Sequence, residues 1–383
     1  MADATSTRVV VRSLGSAFAV YVTVSALVGP SGLSNPVPGV VYVYLWVGVP
    51  VLSGVLGPLW RLISPLRGLY LLVCSMFRRT PATGLMRYPD RLGSWPAVGG
   101  LFAFVWLELA SSDPGSLSAI GSWFLAYAVM VFGGAIVFGE KWFANADPFE
   151  KFSETISAMA VLARRKSDRS LVLRNPLDGL PSLPVAPGTV AVIAVLLGST
   201  AFDSAAHIPG WLDWVDAHSS SATDATWWRT AGLSSLIVLV GLVFWVASRA
   251  TGGMTRARRA ELPGLLAHSL IPIVVGYLLA HYLTYLVEKG QATAILLADP
   301  FAQGWDLLGQ QRWEVSYVLS EHPALLATVK VLCVLGGHVL GVVSAHDASL
   351  RLLPAGHRLT GQLGLMVVMV LYTFGGLFLL FGG

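Results

Sequence analysis

The sequence predicts an all-α, polytopic transmembrane helical bundle of about nine spans, with its N-terminus inside and its C-terminus outside. Three observations carry that prediction. Of 383 residues, 55% are hydrophobic and only 12% charged. Apolar runs long enough to cross a bilayer recur along the whole chain. Lys and Arg gather in alternate loops. A soluble domain carries about a quarter charged residues, so half of the usual solvating surface is missing. The formal charge of +4 sits in short clusters between apolar runs, which excludes a basic face for nucleic acid. The partner this composition implies is the lipid bilayer.

No charge occurs between Arg12 and Arg61, but Ser34-Asn35-Pro36-Val37-Pro38 interrupts the run. That predicts a first span over 14–29 and a second over 39–60. The remaining spans are expected at 93–111, 117–139, 187–205, 230–249, 263–287, 323–346 and 361–381. The first of them is read as a retained helix and not a signal peptide, because its apolar stretch is long and lacks a small-x-small cleavage site. With the N-terminus inside, the inner segments hold 21 of the 25 basic residues. These include six arginines within 61–91 and seven Lys or Arg within 141–174. The outer loops hold Arg229, Lys289 and Arg312 among Asp213, Asp216, Asp224, Asp299, Asp306, Glu314 and Glu321.

Two inner segments read as interfacial. Residues 64–77 are apolar but short. Residues 147–163 open on Asp147-Pro148, a helix-start signal, and set Phe149, Phe152, Ile156 and Met159 on one face. Glu150, Lys151 and Glu154 fall on the other, the pattern of a helix lying at the headgroups. The whole chain reads as one integral membrane domain.

Burying a charge at the centre of a span costs at least ~2.5 kcal/mol, so intramembrane ionisable residues mark where function is sought. Glu108, Asp203, His281 and Lys330 fall at comparable depth toward the outer face. His268, His338 and His346 lie toward the inner face. The bland readings stand beside these: a carboxylate or lysine near a helix end can reach the headgroups, and a lone histidine can donate to a backbone carbonyl. Tyr277, Tyr282 and Tyr285 line the seventh span, where aromatics are commonly packing. Gly336-Gly337 and Gly361-x-x-Gly364 read as close helix packing. Cys74 and Cys333 have no metal or disulfide spacing, and neither a Walker loop, an HExxH nor a dinucleotide fingerprint is present.

Four histidines on two consecutive spans admit three chemistries. Haem b is one, with His268 and His338 as axial ligands. The stacked two-haem pattern fits poorly, because His268 and His281 lie ~140° apart around the helix and His338 and His346 ~80°. A divalent metal such as zinc or copper is the second, with His281, Asp203 and Glu108 as one donor set and His338 and His346 as further ligands. A proton relay is the third.

Five strings, GLFAFVWLEL (100–109), STAFDS (199–204), PIVVGYLLAHYLTYLVEKGQ (272–291), ADPFAQGWDLLG (298–309) and GHVLGVVSAHD (337–347), resemble a bacterial, actinobacterial-type family of integral membrane proteins named for fenitrothion hydrolysis. The resemblance runs from about Leu45 to the C-terminus and rests on helix and loop strings, not on a catalytic signature. It implies a metal-dependent hydrolase of apolar phosphotriesters in the bacterial plasma membrane, taking substrate from the outer leaflet. Under that reading Glu108, Asp203 and His281 are the catalytic residues and hold the metal that activates water. The competing expectation is a haem-, copper- or proton-handling subunit of a redox or transport system, with a partner membrane or redox subunit.

Overall fold

The computed structural model describes residues 5–165, 170–306, 309 and 312–381. Lys166 and Arg169 of the inner basic segment, and Leu307 and Leu308 of the 298–309 string, lie outside them. Helices dominate the described residues. The principal ones are α1 (Thr5–Val28), α2 (Val37–Leu56), α3 (Pro65–Met76), α4 (Trp95–Leu109), α5 (Leu117–Phe138) and α6 (Pro148–Ser157). They are followed by α7 (Thr189–Ala205), α8 (Pro209–Ala217), α9 (Ala222–Arg249), α10 (Arg256–Ala298), α11 (Pro323–Leu352) and α12 (Leu363–Phe381). The strand content among described residues is one antiparallel hairpin, Leu162–Arg164 against Leu171–Leu173, with Ala163 opposite Val172.

Seven of the described helices are long and apolar enough to cross a membrane, eight if α7 and α8, which meet at an 84° bend, make one span. The chain is therefore a multi-pass α-helical membrane protein. Two of the expected spans are short. α4 has 15 residues and α7 has 17, or ~23 and ~26 Å, against ~30 Å of hydrocarbon. α7 lies inside the bundle, where only Val190, Ala191, Ala201 and Ala205 escape full burial, while α4 buries one face through Ala97, Leu101, Phe104, Val105 and Leu107. A helix sheathed by others is under less pressure to match the bilayer thickness.

The centre of the bundle is α10, which packs along α11 and α7. It runs continuously for 43 residues, broken in regularity by a 3-10 turn at Ala267–Leu270 before Pro272 and by a π-helical segment at Tyr285–Lys289. A second π-helical segment, Val40–Gly48, lies in α2, and the two touch. Gly337 is a true close-approach position: a Cβ there would lie 2.6 Å from the Pro272 carbonyl oxygen and 3.1 Å from the Gly276 Cα. Gly336, its neighbour, faces open space.

The segment at 147–163 departs from the expected headgroup helix. Phe149, Phe152 and Ile156 are buried, and so is Glu150 on the opposite face. The reason lies in the other segment expected at the interface. Arg67 of α3, itself buried, meets Glu150 in a bidentate pair, Nε at 3.1 Å from Oε2 and Nη2 at 2.8 Å from Oε1. The planar guanidinium matches a carboxylate in this way, so α3 and α6 bury their charges against each other. Asp147 caps α6 through the Phe149 and Glu150 amides, and accepts from Trp60 Nε1 at 3.0 Å and the Tyr127 hydroxyl at 3.1 Å.

Candidate functional site

The polar centre of the bundle is assembled where α7 ends beside the middle of α10. Asp203 and Ser204 are adjacent on α7, so their side chains diverge by ~100° around the helix and straddle one imidazole. His281 Nε2 lies 2.9 Å from Asp203 Oδ2, and His281 Nδ1 lies 3.2 Å from Ser204 Oγ. Tyr277 stands one turn before His281 on the same face; its ring parallels the imidazole at 6.2 Å, and its hydroxyl lies 2.9 Å from Ser204 Oγ. Tyr282, next along α10, donates to Asp203 Oδ2 at 2.7 Å. Asp203, Ser204, Tyr277 and Tyr282 are all buried, and His281 nearly so. At the outer edge His207 donates from Nδ1 to the Asp203 carbonyl oxygen at 2.7 Å while most of its side chain is exposed.

Glu108, near the end of α4, adds a second carboxyl. Its Oε2 is sealed from solvent and has no hydrogen-bond partner. Asp203 lies within electrostatic reach of it, as do the Tyr42, Tyr282 and Tyr285 hydroxyls. Tyr42 and Tyr285 come from the two π-helical segments, an irregularity often found at functional sites. Tyr42 is itself fixed by donating to the Pro114 carbonyl at 2.7 Å.

The hydrogen-bonded chain Tyr277–Ser204–His281–Asp203 admits two proton assignments. With neutral imidazole, the Nε2–H donates to the carboxylate, Ser204 donates to Nδ1 and Tyr277 donates to Ser204. With imidazolium, Nδ1–H donates to Ser204, Ser204 donates to Tyr277 and Tyr277 turns its proton outward. The two differ by one proton and by the direction of every hydroxyl.

The expected outer metal set does not form. Among the described residues there is no group of three His, Cys, Asp or Glu able to hold a metal. His281 spends both ring nitrogens on Asp203 and Ser204, which leaves no lone pair for an ion, and Glu108 makes no bond to either. Lys330 pairs with neither carboxylate.

Among the described residues the inner histidines belong to no group of three that could hold a metal. His346 Nδ1 binds Gln362 Oε1 at 3.0 Å, tying α11 to the turn before α12. His338 donates from Nδ1 to the Val334 carbonyl at 2.8 Å. His268 and His338 are buried, each with an unpartnered Nε2. A macrocycle bracketed by them would have to separate α10 from α11, and their backbones meet at Gly276 and Gly337 one residue from His338. The packing does not fit the group.

Residue reading thus reached Asp203, His281 and Glu108 but missed Ser204 and His207, and took Tyr277 and Tyr282 for packing. A signal was present: a serine next to an intramembrane aspartate, and a tyrosine four residues before an intramembrane histidine. Compared with family models, curated proteins and solved structures, the chain matches none of them.

Proposed function

We propose that this chain is a multi-pass protein of the bacterial plasma membrane in which Asp203 and His281 form an acid–base centre that takes up and releases protons close to the outer face. The observation that carries the reading is the reversible chain from Tyr277 through Ser204 and His281 to Asp203. A buried network that keeps its Tyr277–Ser204, Ser204–His281 and His281–Asp203 bonds in both protonation states can pass a proton with little reorganisation. His207, exposed and bonded to the Asp203 backbone, supplies the entry, and the orphaned Glu108 oxygen supplies a second acceptor. Nine spans with the N-terminus inside and the C-terminus outside are the topology that goes with it, supported by the 21 of 25 basic residues on one side.

Purified protein in liposomes with an entrapped pH dye, under an imposed potential, tests the reading. Proton flux is expected from the parent and is expected to fall at least ~10-fold in Asp203→Asn and in His281→Gln, since each removes one member of the relay. Equal flux in parent and variants would sink it.

Metal-dependent phosphotriester hydrolysis, the activity implied by the resemblance, has less support, because His281 offers no free nitrogen. A metal-free hydrolysis is favoured by one observation: Ser204 sits on the nitrogen opposite the one that Asp203 holds, the connectivity of an activated serine. In that reaction Ser204 Oγ bonds to phosphorus, its proton passes to His281 Nδ1, and the bond from phosphorus to the aryloxy oxygen breaks, the aryloxide leaving with that proton. Water then gives a proton to His281 and bonds to phosphorus, and the bond to Ser204 Oγ breaks as that proton returns to the serine. A fluorophosphonate probe recovered on Ser204, and absent in His281→Gln, would favour this second reading.

A further inference from the structure

A cluster of arginines stands far from the polar centre, where α1 crosses the turn Trp60–Ile63 and the start of α3. The crossing is tight: a Cβ on Gly68 would meet Ser16 Oγ at 3.1 Å, and Gly15 is pressed on the Ile63 backbone. Arg12 lies one turn before Ser16 on α1, and Arg8 one turn before that. Arg8, Arg61, Arg67 and Glu140 all lie within electrostatic reach of Arg12. Arg67 is committed to Glu150, with Glu140 Oε1 at 3.4 Å from its Nη1. Arg12 has a different fate: its Nε is sealed from solvent and has no hydrogen-bond partner.

The charges do not balance. Arg12, Arg61 and Arg67 face the two carboxylates of Glu140 and Glu150, and Lys151 and Glu154 cancel each other in a pair at 2.6 Å. With Asp147 protonated, one positive charge is left over. A buried, unpartnered guanidinium nitrogen in such a field wants an anion with several acceptor oxygens. The cluster also faces a particular side. Only 6% of the most apolar window of α1 is buried, so α1 is a peripheral helix wetted by lipid, and its arginines fall at its end, at headgroup depth.

We propose that the arginine cluster where α1 meets the Trp60–Arg67 segment binds the phosphodiester of an anionic phospholipid, with Arg12 and Arg61 as its principal donors. Arg61 is exposed at the rim, and Arg12 closes on the phosphate from the α1 side. The acyl chains then run along the lipid-facing surface of α1. The bound lipid joins α1 to the rest of the bundle at the one end where the packing leaves a surplus of charge.

Native mass spectrometry of the detergent-purified chain tests this, with phosphatidylglycerol and phosphatidylcholine supplied in equal amounts. The parent is expected to retain phosphatidylglycerol preferentially. Arg12→Gln and Arg61→Gln should each lower that preference about fivefold, the effect of one surface cation on an anionic lipid. Arg258→Gln, an exposed arginine paired with Glu261 at 3.0 Å on α10, should leave it unchanged. The two test positions lie on different elements, and monodisperse elution verifies folding for each. No preference in the parent, or a preference untouched in both variants, overturns the proposal. Displacement of the lipid by excess inorganic phosphate would assign the seat to free anions instead.

Discussion

Asp147 is the residue where sequence, fold and pH meet most directly. It begins α6, caps the helix with one oxygen and accepts from Trp60 and Tyr127 with the other. Burial first, and the nearby Glu150 second, push its carboxyl up to about 7 from an ordinary 3.8, against the pull of these donors. The folded-state value lies above that of an unfolded aspartate. Its contribution to stability is therefore complete below about pH 4 and is lost as pH rises through 7. The thermal midpoint of the detergent-solubilised protein is expected to fall between about pH 5 and pH 8 on this account. Asp147→Asn retains a good helix cap and removes the titration, so its midpoint should fall less steeply over the same range. A slope equal to the parent's would assign the pH dependence elsewhere. Asp147→Ala, which orphans two buried side-chain donors and the α6 cap, should cost at least ~2 kcal/mol at any pH.

At the scale of elements, the α10–α11 pair holds the bundle together and positions His281 and Tyr277 against α7. It closes through Gly276 and Gly337, whose backbones touch. Gly337→Leu has nowhere to put its side chain except against the Pro272 carbonyl. The substitution should separate the helices at a cost of about 1–3 kcal/mol, read as a lower thermal midpoint, whereas Gly336→Leu, facing open space, should be nearly neutral. Equal effects at the two positions would show that the contact is not tight. The contrast between these glycines also marks what the sequence could reveal. Apolar runs and charge alternation made the helical bundle and most helix positions legible, because length and hydrophobicity act locally. The burial of Glu150 was not legible, because nothing near 147–163 tells that its counter-charge comes from Arg67, 83 residues earlier. The depth of Asp203 and His281 could be read from helix position. Their contact, and the insertion of Ser204 between His281 and Tyr277, depend on how α7 is rotated, which one helix's sequence does not encode.

For the molecule as a whole, the proposed nine-span topology turns on the two short helices. Starting from an inner N-terminus, α1 and α2 return the chain inside before the arginines of 61–91, and α4 and α5 do so again before 141–174. If neither α4 nor α7 crossed, seven spans would remain, the single helices long and apolar enough to cross among the described residues. The C-terminus would then still be outside, but 141–174 with its seven Lys and Arg would be outside too. Each such residue in a short loop resists transfer across the membrane, so the charge pattern favours nine although α4 and α7 are only 15 and 17 residues long. The two topologies differ at Ser182 and agree at Ala222, both exposed. In a chain with Cys74 and Cys333 replaced by Ser, a membrane-impermeant thiol reagent should label Ala222→Cys in intact cells. It should label Ser182→Cys only after the cells are opened. Labelling of both in intact cells would make α4 and α7 re-entrant elements of a seven-span protein. The Asp203–His281 centre would then stand at the tip of a helix entering and leaving by the outer face, and one-sided proton binding would replace transfer as its chemistry.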